Sequence, residues 1–129
     1  MDDLTDRWME ALLEDEGWTD GLTDAQAQIL LAWARQRLAD LGSQGLPPEE
    51  GTARAHAVRR QARDISRILR AWSEGKGPDR FQGALNRLWP DPQEQAHIVS
   101  QLEAQETPEG QIRCLLRALK EPAGSEGSP

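Results

Sequence analysis

Residues 52–72 hold six arginines, Arg54, Arg59, Arg60, Arg63, Arg67 and Arg70, against a single acid, Asp64, a net of +5. On a helix turning about 100° per residue, His56, Arg59, Arg60, Arg63, Arg67 and Arg70 share an arc of about 100°. Val58, Ala62, Ile65, Leu69 and Trp72 recur at spacings of four and three and lie opposite. The planar guanidinium fork matches carboxylates and phosphates better than an ammonium does. Such a ridge has three competing uses. One is a solvated outer face, which every amphipathic helix needs. The second is a match to the acidic N-terminal segment, within the molecule or between two copies. The third is recognition of an outside anion, on a phosphate backbone or an acidic protein.

The other reactive side chains are few. His56, His97 and Cys114 fall one apiece on three different predicted helices. A Cys–His nucleophile pair requires them adjacent in space. Cys114 beside Leu115 reads as a small buried hydrophobe. No two histidines stand at i, i+4, so no metal site is expected. The acidic turn from Asp15 fails as a calcium loop, with Gly17, Thr19 and Asp20 where acids and glycine are needed. Gly75-Lys76-Gly77-Pro78 lacks the hydroxyl residue of a phosphate loop and follows no strand. The expectation is no enzyme and no cofactor. Among five tryptophans, Trp8, Trp33 and Trp72 fall on apolar stripes and read as core. Trp18 sits in the acidic, Gly-rich run Asp15–Gly21, where it either folds back over the turn or anchors a partner. Trp89, before Pro90, carries the same two readings.

These residues must be positioned by helices, because no segment shows sustained period-two alternation. Asp3 caps a first predicted helix over about 4–16, stopped by Gly17. Thr23 and Gln26 have the spacing of a capping box before a helix over about 24–41, stopped by Gly42. A third helix runs over about 52–73, with a start at Pro48, Glu49 and Glu50 as the alternative. Asp79 caps a short helix over about 80–89, with Phe81, Ala84, Leu85 and Leu88 inward. Asp91-Pro92 and Thr107-Pro108 open two more, over about 92–105 and 108–120. Ile29–Trp33 echoes Ile68–Trp72 at a separation of 39, without a third copy. The expected architecture is all-α, a compact bundle of five to six helices in a single domain over 1–121. A disordered tail follows over 122–129.

The whole chain has 129 residues and a net charge of −7. That total conceals a separation: residues 1–24 hold nine acids and one arginine, net −8, so the residues outside 1–24 and 52–72 sum to −4. The longest apolar run, Ile29 to Ala34, is far short of the about 20 residues of a membrane span. One cysteine permits no internal disulfide, and Met-Asp-Asp does not read as a secretory leader, so a cytoplasmic protein is expected. Arginine outnumbers lysine 13 to 2, a bias expected of a GC-rich bacterial genome. The acidic total and the lack of aromatics along the ridge disfavour nucleic acid. The reading is a non-enzymatic adaptor, assembly factor or regulator that binds another protein with an acidic surface. Arg59, Arg60, Arg63, Arg67 and Arg70 form its docking ridge and Trp18 an anchor. The alternatives are a nucleic-acid accessory protein using the same ridge, and a homodimer joining acidic and basic helices.

Overall fold

A reciprocal cap opens the first helix, α1 (Asp24–Ser43). The Gln26 amide donates to Thr23 Oγ1 at 3.0 Å, and Thr23 N–H donates to Gln26 Oε1 at 3.1 Å. These bonds satisfy donors that a helix start otherwise leaves open. Leu30, Ala34, Leu38 and Leu41 then bury one stripe. The helix does not stop at Gly42, as expected from sequence, but runs through it to Ser43. A glycine inside a helix costs only about 1 kcal/mol, and Leu41 is still being buried at that point. The reversal comes at Gly45, whose φ of 68° is the left-handed conformation a side chain disfavours. The structure, a computed structural model, describes residues 19–119 together with Arg7 and Glu10, both helical. Trp8, Gly17 and Trp18, the rest of the expected first helix, and the tail over 122–129 lie outside the described residues.

The arginine-bearing helix, α2, spans Pro48–Ser73. It begins at the earlier of the two expected starts, because Pro48 suits a first turn and Glu49 and Glu50 meet the positive helix end. Val58, Ala62, Ile65, Ile68 and Leu69 face the core. A 3-10 turn, Pro78–Phe81, precedes the short α3, Gln82–Leu88. The single helix expected over 80–89 is therefore broken, and Asp79 makes no side-chain cap. The reason is Phe81: it is buried at φ −128°, ψ 25°, with its ring edge-on to Trp72 at 6.3 Å. Leu88, expected inward, is half-buried, and Trp89 takes the interior place.

Asp91 caps α4 (Pro92–Glu103) by accepting from the Gln93 amide at 3.0 Å. Thr107 caps α5 (Pro108–Ala118) by accepting from the Gly110 amide at 3.0 Å. Both helices end two residues before their expected limits. Helices α1, α2 and α5 pack against one another; α3 and the 3-10 turn lie on α2, and α4 lies on α5. One core joins them, centred on Leu30, Ile65, Leu69, Leu85, Ile112 and Leu115. The fold is all-α, and the described residues contain no strand. No helix among the described residues is long and apolar enough to cross a membrane.

Candidate functional site

The ridge on α2 is not uniform. Asp64 stands between the arginine arc and the buried face, and its side chain is only 8% exposed. A carboxylate so placed needs a cation, because burying an unpaired charge is costly. Arg87, on the last turn of α3, supplies it. Its Nε donates to Asp64 Oδ2 at 3.0 Å and to Oδ1 at 3.2 Å, and its Nη2 donates to Oδ1 at 2.7 Å. The hydrogen bond to Asp64, then the charge itself, holds the Arg87 guanidinium above its ordinary range. Arg60, Arg63 and Arg67 line a cleft with this pair, about 140 Å³ in volume. Four arginines from two helices thus share one cleft with a buried carboxylate, and Arg87 is the one bonded to it.

The other edge of the ridge is used differently. Arg70 is half-buried; its Nε donates to the Asp20 carbonyl at 2.9 Å and its Nη2 to Ser66 Oγ at 3.3 Å. Gly21, at φ 85°, lies so close that a Cβ there would meet Arg70 Cγ at 3.0 Å. The backbone conformation favours glycine there, and the Arg70 stem leaves little room for a side chain. Arg70 fixes the turn before α1 to α2 and does not line the cleft. Arg59 is also half-buried and does not line the cleft. Of the five arginines expected in the ridge, the structure brings Arg60, Arg63 and Arg67 together and adds Arg87. Trp18, the expected anchor, lies outside the described residues.

A second cleft, about 310 Å³, separates α4 from α5 and is lined by Glu94, His97, Ile98, Gln101, Cys114, Arg117 and Ala118. His97 and Cys114 therefore share one cleft, while His56 is exposed on α2 and does not line it. Burial pushes the Cys114 thiol up, with the Arg117 charge acting weakly the other way. A thiol held protonated is a poor nucleophile. Among the described residues no three His, Cys, Asp or Glu side chains come together as a metal set.

The tryptophans separate by environment. Trp89 is buried, and its Nε1 donates to the Ala118 carbonyl at 3.0 Å, so of its two readings the interior one is observed. Trp33 and Trp72, expected in the core, are half-buried at its edge. The Arg37 guanidinium lies 5.3 Å from the Trp33 ring centroid. Comparison with known proteins finds no matching family model, no matching curated sequence and no matching solved structure.

Proposed function

We propose that this chain is a non-catalytic binding protein, an adaptor, assembly factor or regulator, which docks an acidic feature of another protein at the arginine cleft. The observation that carries this reading is the convergence of Arg60, Arg63, Arg67 and Arg87 around buried Asp64. A solvated face needs no such convergence. Like charges drawn from two helices onto one small cleft repel, and a buried carboxylate holds one of them, Arg87, there. Charge complementarity of this kind chiefly sets orientation and association rate. Nucleic acid is less well served: among the described residues no aromatic lines the cleft on which a base could stack, and the chain total is −7.

The test is affinity capture with the full chain and with Arg60→Glu/Arg67→Glu, after nuclease treatment, at two salt concentrations. Both substituted side chains are exposed, so the fold is expected to survive. The expected result is a protein partner held by the unaltered chain, lost on charge reversal and weakened by salt. Capture that is indifferent to the charge reversal, or retention of nucleic acid alone, overturns the reading.

A further inference from the structure

We propose that the cleft is an oxyanion site for one phosphate monoester, carried into it on a phosphorylated side chain of the docked protein. The carrier rests on the docking reading above; the group rests on the cleft itself. Size sets the first limit. At about 140 Å³ the cleft is well below the about 300–1,000 Å³ of pockets that enclose whole organic ligands. It accommodates a single anionic group, with the rest of the carrier outside it. Arg60, Arg63, Arg67 and Arg87 are exposed residues, so the cleft opens at the surface. A group can enter while its carrier stays outside, as a side chain on a partner does.

Charge sets the second limit. The cleft already contains a carboxylate, and the Arg87 fork answers it through contacts of 2.7, 3.0 and 3.2 Å. With that pair matched, Arg60 and Arg67, two turns apart on α2, line the same space. One more carboxylate brings a single negative charge and two oxygens. A phosphate monoester brings about −1.5 to −2 and three acceptor oxygens near neutral pH. It is the better match to the two guanidinium groups of Arg60 and Arg67, each of which presents planar N–H forks. Asp64 is a positioning residue here: it does not face the anion favourably, but it holds Arg87 across from the α2 arginines.

The experiment follows the arginine Nε–Hε resonances of the full chain by NMR. The probes are inorganic phosphate, acetate, a phosphoserine peptide and the same peptide with glutamate. Phosphate and the phosphopeptide are expected to shift Arg60, Arg67 and Arg87 saturably, the phosphopeptide at least as tightly. Acetate and the glutamate peptide are expected to bind about tenfold more weakly. Arg80 and Arg113, exposed and outside the cleft, are expected to stay unmoved. Arg60→Gln/Arg67→Gln is expected to keep its melting temperature and lose the saturable Arg87 shift. Equal responses to phosphate and acetate overturn the site, as do shifts spread over Arg80 and Arg113. Phosphate binding tighter than the phosphopeptide overturns the carrier. If a partner is lost on charge reversal while phosphate binds no better than acetate, docking stands and the phosphate site falls. If phosphate binds selectively while capture ignores charge reversal, the site stands and the docking reading, with its carrier, falls.

Discussion

Asp64 is the one acid among residues 52–72, and read in sequence it only lowered the charge of a basic helix. In the structure it is the buried partner of Arg87, in a cleft that Arg60, Arg63 and Arg67 also line. Removing its partner leaves a buried carboxylate without its hydrogen-bond donors. Arg87→Gln is therefore expected to cost about 1–3 kcal/mol in urea unfolding. Adding Asp64→Asn to that variant is expected to recover most of the loss. A cost for Arg87→Gln under about 0.5 kcal/mol would place the pair among ordinary exposed ion pairs and deny Asp64 its role. Cys114 carries a pH-dependent consequence. Burial keeps its proton on in the native state to higher pH than in the unfolded chain. This contribution to stability is complete below the ordinary thiol range, about 8.5, and is lost as pH rises through and above it. The urea midpoint is expected to fall more between pH 7 and pH 10 for the unaltered chain than for Cys114→Ala. Equal falls would remove the effect.

At the scale of the element, the starts of the helices were more legible than their ends. Thr23, Asp91 and Thr107 each cap where their side-chain chemistry says they should, because capping is a local interaction. Ends and breaks depended on distant packing: Leu41 carried α1 past Gly42, and burial of Phe81 split the expected fourth helix. Gln26 joins the two kinds of information. Besides closing its capping box, it donates through Nε2 to the Pro108 carbonyl at 3.2 Å, linking the start of α1 to the start of α5. Gln26→Ala is expected to lose about 1–3 kcal/mol by thermal or urea unfolding. Gln26→Glu keeps an acceptor for the Thr23 amide but opposes a carboxylate to the Pro108 carbonyl. It is expected to be destabilised as well; a neutral effect of Gln26→Glu would show that the cap alone matters.

For the whole molecule, the all-α class and the apolar stripes were legible because periodicity is written in every helix. The site was legible only in part. Arg60, Arg63 and Arg67 announced themselves by their shared arc, whereas Arg87 is 23 residues from Asp64 and on another helix, and no local pattern joins them. Nor did sequence distinguish Arg70, whose engagement depends on a backbone carbonyl 50 residues away. The packing of α5 against both α1 and α2 has a consequence for how the chain is made. Ile112 and Leu115 fill the centre of the core, and the Ala118 carbonyl receives the Trp89 indole. A nascent chain synthesised through the arginine helix exposes an apolar face that its neighbours cannot yet close. The core can close only when residue 119 has left the ribosome. Until then the apolar stripes of α1 and α2 stay open to water, the kind of surface that chaperones bind.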